Sequence, residues 1–245
     1  MSQTVRAVAP ARTATLNHIV FHRRFAPSEG LVAAPEQPFR QEICLNGTWQ
    51  FQPVPLPSGY TPNIGDPPTL APPAADQWDT TPIKVPSPWN VNAFNVGDGG
   101  DFRCYPSYPK SWESAQMGWL KHSFRVPVSW TGKRLFLHFD AIAGDADIYV
   151  NGHKIGENFD LYLPAEYDKT SDIKPGATNE VLVGVRKASL FDDRRTIGGR
   201  PYPGGSMWAQ SIVGIWQDVF LEAEPALHFA TTYVKPEDSA GILQA

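Results

Sequence analysis

From Gly118 onward, apolar and polar residues alternate in short runs. In 119–126, Leu120, His122, Phe124 and Val126 alternate with Trp119, Lys121, Ser123 and Arg125. In 134–140, Leu135, Leu137 and Phe139 alternate with Phe136, His138 and Asp140. A period of two places successive side chains on opposite faces of a strand, so both runs predict half-buried strands. Asp147-Ile148-Tyr149-Val150 meets Asn151-Gly152 and continues into Lys154-Ile155. An Asn-Gly pair between two such runs predicts a tight hairpin. Val181, Val183 and Val185 form one face of a further strand over 181–186. In 215–221, Ile215, Gln217, Val219 and Leu221 alternate with Trp216, Asp218 and Phe220, which predicts one continuous strand.

The first half is patterned differently. Residues 1–38 show weak periodicity and are expected to form a loosely docked arm. Leu45 to Phe51 reads as an Asn-Gly turn entering a strand, with Trp49 and Phe51 on one face. Residues 53–88 hold eleven prolines. Proline removes a ladder donor, so this stretch is expected to wrap over a sheet as an extended ordered loop. It ends at Val85-Pro86-Ser87-Pro88-Trp89-Asn90, with Trp89 as a plug for the core edge. Residues 95–117, rich in Gly, Asp, Ser, Tyr and Trp, read as a long surface loop, where binding residues are favoured.

No helical period of useful length occurs. Many short strands separated by turn signals predict an all-β sandwich or barrel. A two-sheet jelly roll suits the long crossing loops best. Its limits are expected at 39–225. The last 20 residues are too few for an independent domain, with His228 to Val234 expected as one strand and Gly241 to Ala245 as the beginning of another. The tail reads as the opening of a second β-domain at 226–245, so the chain is expected to be a piece of a larger enzyme.

Composition narrows the function. The 245 residues carry a net charge of −4 without a basic stripe, which argues against nucleic acid as a partner. No apolar run approaches a membrane span. Residues 1–30 contain arginines but no apolar core of signal-peptide length, so a cytoplasmic location is the default expectation. Cys44 and Cys104 are expected as separate thiols. His18 and His22 stand four apart without a third ligand, and no oxygen-ligand motif for calcium occurs, so no metal or cofactor is expected. Gly198-Gly199 and Gly204-Gly205 lack the lysine and helix of a phosphate loop.

Several segments resemble, in order, the N-terminal sugar-binding domain of family 2 glycoside hydrolases, the β-galactosidase, β-glucuronidase and β-mannosidase group. Leu45 to Phe51 is similar to the family's LNGxWxF, and Val85 to Asn90 to its VPxxW. Gly118 to Pro127 resembles xWYrrxFxVP. Arg134 to Asp140, continuing through Ile148 to Gly152, resembles a paired strand motif ending in an Asn-Gly hairpin. Asp172 to Gly176 precedes the next strand, and Gly214 to Val219 is similar to GIWRDV. The resemblance covers roughly 45–225 and implies a galactose-binding-like β-sandwich. It further implies that the parent enzyme continues into an immunoglobulin-like domain and a TIM barrel. Family members are exo-acting retaining β-glycosidases with both catalytic glutamates in the barrel, so no catalytic residue is assigned in this chain and the chain alone is expected to be inactive.

Sugar contact is the expected role. Sugars offer an apolar C–H face and a rim of hydroxyls, which suit aromatic rings flanked by Asp, Asn or Arg. Two loops combine both. One is 101–117, with Tyr105, Tyr108, Lys110, Trp112 and Glu113; the other is 192–211, with Asp192, Asp193, Arg194, Arg200, Tyr202, Ser206, Trp208 and Gln210. The candidate contacts are Tyr105, Trp112, Glu113, Asp192, Asp193, Arg200, Tyr202, Ser206 and Trp208. Trp112 and Trp208 stay open between stacking on a sugar and packing within a loop, whereas Trp89, Trp119 and Trp216 are expected in the core. Ser206 stands where galactosidases carry an acidic residue, and Gln217 where the family motif has Arg. A stand-alone carbohydrate-binding module and a purely structural domain packed on a barrel remain the alternatives.

Overall fold

The computed structural model describes residues 40–60, 67–90, 108–187, 190, 212–229 and 233, together with the backbone of five short strands at 14–16, 19–21, 30–32, 235–237 and 242–244. Two mixed-order antiparallel sheets face each other. The larger runs in the order His153–Asn158, Asp145–Val150, Thr178–Arg186, Met117–Arg125, Gly47–Val54, Ile83–Val85. The smaller runs Ala165–Asp168, Arg134–Phe139, Val219–Glu224, Gln41–Cys44, Gly30–Val32. Most neighbours in both are not consecutive along the chain, so crossovers rather than a simple meander join them, as the expected jelly-roll sandwich requires.

The alternation read from the sequence decides what fills the space between the sheets. Phe51, Leu120, Phe124, Ile148, Val181, Val183 and Val185 enter it from one side, and Ile43, Leu135, Leu137, Phe139, Val219 and Leu221 from the other, all buried. Full burial of such a side chain stabilises the fold by roughly 1.5–3 kcal/mol. The hairpin turn is set by Asn151 at φ 49° and Gly152 at φ 84°, the left-handed pair that a two-residue loop demands. Asn151 also locks the hairpin to its surroundings. Its Nδ2 donates to Asp172 O at 2.7 Å and Asn179 Oδ1 at 2.8 Å, and its Oδ1 accepts from Glu180 N at 3.0 Å.

The proline-rich stretch lies over the outer face of the larger sheet. Leu70, Met117, Trp119 and Leu190 form a second buried cluster there, bordered by Val54, Tyr60, Trp78, Tyr149 and Leu182. Trp119 Nε1 donates to Ala71 O at 2.8 Å, which ties the loop to the sheet. Gly184 provides the flat bay for that indole, since a Cβ there would meet the ring at 2.6 Å.

Three expectations are corrected. Residues 215–221 form two strands, Gly214–Ile215 and Val219–Glu224. The first pairs with Ile142–Ala143 and the second with the smaller sheet, and side-chain bonds of Trp216 and Asp218 hold the break between them. Residues 226–229 are not strand; His228 instead folds back, with Nε2 3.3 Å from Glu224 Oε2 and its ring edge-on to Phe136. The tail strands are Lys235–Glu237 and Ile242–Gln244, paired with each other. Finally, Gly30–Val32 joins the smaller sheet beside Gln41–Cys44, so part of the expected arm is an edge strand.

Candidate functional site

The roots of the two candidate loops meet at one place. Ser87 N donates to Ile215 O at 2.9 Å, and Trp89 N donates to Val213 O at 3.1 Å. Asn90 Oδ1 accepts from Val213 N at 3.1 Å. Residues 87–90, which lead into 91–107, are therefore zipped to residues 213–215, which follow 191–211. Gly214 has φ 116°, and a Cβ there would meet the Trp89 ring at 2.9 Å, so the close approach requires glycine. The other two roots also touch: Lys187 N donates to Gln116 O at 2.8 Å, and Trp89 Nε1 reaches Ala115 O at 2.9 Å.

Trp112 lies in the core. It sits in the 3₁₀ turn Lys110–Trp112 and is fully buried, edge-on to Phe51 at 4.5 Å and tilted against Tyr108 at 5.0 Å. Its Nε1 donates to Asp79 Oδ2 at 3.2 Å. A ring enclosed in this way offers no face to a sugar; it anchors the loop instead. Tyr108 behaves alike, its hydroxyl accepting from Lys84 N at 3.0 Å. Glu113 is partly exposed beside this turn. Ser111, Ser114, Ala115 and Gln116 line an open cleft of about 370 Å³ against Pro53, Val54, Pro55 and Leu56. Tyr105, Asp192, Asp193, Arg200, Tyr202, Ser206 and Trp208 lie outside the described residues. Trp89 and Trp119 are fully buried, as expected, but Trp216 is only partly so. Its Nε1 donates to Leu161 O at 3.0 Å and its ring meets Tyr162, itself 43% exposed.

The sequence pattern gave no warning of an ion cluster at these roots. Arg186, the last residue of its strand, is buried; its Nη1 lies 3.1 Å from Asp145 Oδ2 and 2.8 Å from Asp147 Oδ2, and its Nε donates to Pro68 O at 2.7 Å. Lys154 Nζ completes the group, 2.6 Å from Asp147 Oδ1. Burial works to raise the Asp147 carboxyl, but Lys154 and Arg186 outweigh it and hold it below the usual carboxylate range. These two carboxylates are neutralised by neighbours, so neither is poised as an acid or a nucleophile. Among the described residues, no three His, Cys, Asp or Glu side chains are grouped to hold a metal, and no helix is long and apolar enough to cross a membrane.

Residues 43–225 match the family model described as the sugar binding domain of glycosyl hydrolases family 2. The chain belongs to that family. It is 24% identical over 212 residues to a β-glucuronidase of Bacteroides fragilis, covering 82% of this chain and 25% of the relative. It is also 24% identical over 227 residues to a β-galactosidase of Yersinia pestis, covering 86% and 19% respectively. The chain thus spans a quarter or less of those relatives' own length. In fold it is similar to the β-D-glucuronidase of Dictyoglomus thermophilum, with a TM-score of 0.55 at 18% identity over 84% of this chain and 32% of that one. A β-glucuronidase from Ruminococcus gnavus in complex with an N1-substituted uronic isofagomine gives a TM-score of 0.52 at 18% identity, over 79% of this chain and 31% of that one.

Proposed function

We propose that this domain binds a saccharide through the 101–117 and 192–211 loops and positions it for a retaining, exo-acting β-glycosidase of family 2. The convergence of both loop roots on Trp89, Val213, Gln116 and Lys187 carries this reading, because it anchors both loops at the same place. The hydrolysis of the O-glycosyl bond is assigned to a barrel of the whole enzyme. Titration calorimetry of the chain with methyl β-galactoside, β-glucuronide and β-mannoside tests it: saturable heat with at least one sugar is expected, and silence with all three overturns the reading. An aryl β-glycoside assay checks the catalytic assignment; turnover abolished by a carboxylate substitution within this chain would refute it.

A second reading has one observation in its favour. Leu227 and Phe229 are 92% and 91% exposed just past the last sandwich strand. Such side chains suit a packing role against another domain. That reading expects no sugar to bind the chain.

A further inference from the structure

Residues 158–163 form a turn that its own side chains hold in shape. Asn158 Nδ2 donates to Asp160 O at 2.9 Å, and Asp160 N donates back to Asn158 Oδ1 at 3.3 Å. Asp160 Oδ1 in turn accepts from Tyr162 N at 3.3 Å. Leu161 is buried, whereas Tyr162 is 43% and Leu163 60% exposed. Trp216 braces the turn from the kink between Gly214–Ile215 and Val219–Glu224, its Nε1 donating to Leu161 O at 3.0 Å. The Tyr162 and Trp216 rings meet edge-on, with centroids 6.0 Å apart and planes at 84°. These hydrogen bonds fix a large ring in a place where it stays in contact with water, and an aromatic corner results.

The corner is chemically mixed. Beside the two rings, in sequence, stand the half-buried carboxylate of Asp160 and the exposed carboxamide of Gln217. An apolar protein partner laid over the rings would take the Asp160 charge out of water with them, which is costly. A pyranose fits better, because its C–H face lies on an aromatic ring while its hydroxyls donate to carboxylate and amide oxygens. We propose that Tyr162 and Trp216 form a second saccharide-binding site, separate from the 101–117 and 192–211 loops, for a short neutral oligosaccharide of equatorially substituted pyranoses. Equatorial hydroxyls leave both faces of the sugar ring clear for stacking. The Asp160 carboxylate disfavours an acidic sugar by like-charge repulsion. The turn is already shaped by its own hydrogen bonds, so little ordering cost opposes binding.

The test is an NMR titration of the isotope-labelled chain with cellotriose, and with sorbitol as an acyclic polyol that lacks a ring face. Saturable shifts of the Trp216 indole N–H and of the 160–163 amides are expected with cellotriose, with a Kd on the order of 1 mM, and none with sorbitol. Tyr162→Ala should weaken this binding roughly tenfold, and Tyr162→Phe should keep it within about threefold. Cellotriose shifts that miss these residues overturn the inference, as do equal shifts with sorbitol or an unchanged affinity in Tyr162→Ala. Shifts confined to 101–117 and 192–211 sink this site and leave the saccharide-binding reading above standing. A response of 160–163 and Trp216 to protein concentration alone, lost in Tyr162→Ala, would assign the corner to contact between copies of the chain and likewise overturns the inference. Should Tyr162→Ala fail to fold, the shift map of the unsubstituted chain and the affinity of Tyr162→Phe decide.

Discussion

Asn46 Nδ2 donates to Asp218 Oδ1 at 2.9 Å across 172 residues of chain. The same Asn46 accepts the buried Val219 N–H on its Oδ1 at 3.0 Å. Two of the segments that resemble family motifs, the Asn-Gly turn before Trp49 and the Gly-Ile-Trp-Gln-Asp-Val stretch, are therefore two halves of one clasp. Together they fix the crossover between the two sheets.

Removing the clasp should be costly. Asn46→Ala leaves Val219 N–H buried without a partner and deprives Asp218 of its donor, a loss of about 2–3 kcal/mol. A urea titration of the two chains checks it through the shift in midpoint. A change within experimental error would show that water replaces Asn46 at no cost.

Asp218 predicts a pH effect with a definite sign. Burial raises its carboxyl above the usual range and the charge on Asp140 adds to the rise, while the hydrogen bond from Asn46 opposes them. A carboxyl raised on folding binds its proton more tightly in the native state. Its stabilising contribution is present at acid pH and is lost as pH rises through the native pKa. Asp218→Asn removes the charged form, so it should be more stable than the parent at neutral pH, and the gap should close as pH falls below the native value. Thermal unfolding across that range reads the difference directly.

Arg186→Met should be among the most damaging single changes. It strands the buried carboxylates of Asp145 and Asp147 and leaves Pro68 O without its donor, and such stranding costs about 3–5 kcal/mol. Since Arg186 ties the proline-rich cover to the sheet, limited proteolysis should also speed up within 67–82. Unchanged cutting there would mean that the Trp119–Ala71 bond alone holds the cover.

Trp112 separates anchoring from recognition. Trp112→Ala should lower stability by about 3–5 kcal/mol, as large buried aromatics do. Trp112→Phe should retain most of the stability and, at temperatures where the chain is folded, the sugar affinity of the parent. A large loss of affinity in the stable Phe variant would return Trp112 to the saccharide.

The alternation of Leu120, His122 and Phe124, of Leu135, Leu137 and Phe139, and of the three valines made the core of the fold legible, because burial on one face imposes a period of two that tertiary contacts reinforce. Residues 215–221 misled for the same reason. The alternation of Ile215, Val219 and Leu221 is real, but a two-residue kink costs no apolar burial, and hydrogen bonds from Trp216 and Asn46 decide it. Gly30–Val32 carried too short a pattern to announce an edge strand. In the 101–117 stretch, composition drew attention to Trp112 but could not show its inner partners, Phe51, Tyr108 and Asp79. Trp112 reads alike whether it stacks on a sugar or on Phe51, and the pairing of Arg186 with Asp145 and Asp147 joins residues about 40 apart in sequence that no local pattern links.

The covering of the larger sheet by 67–82 has one more consequence. Both sides of that sheet are occupied, one by the opposing sheet and the other by Leu70, Trp78 and their neighbours. Where 67–82 lies over it, that sheet is therefore an interior layer, and loosening the cover would bring Met117 and Trp119 into contact with water.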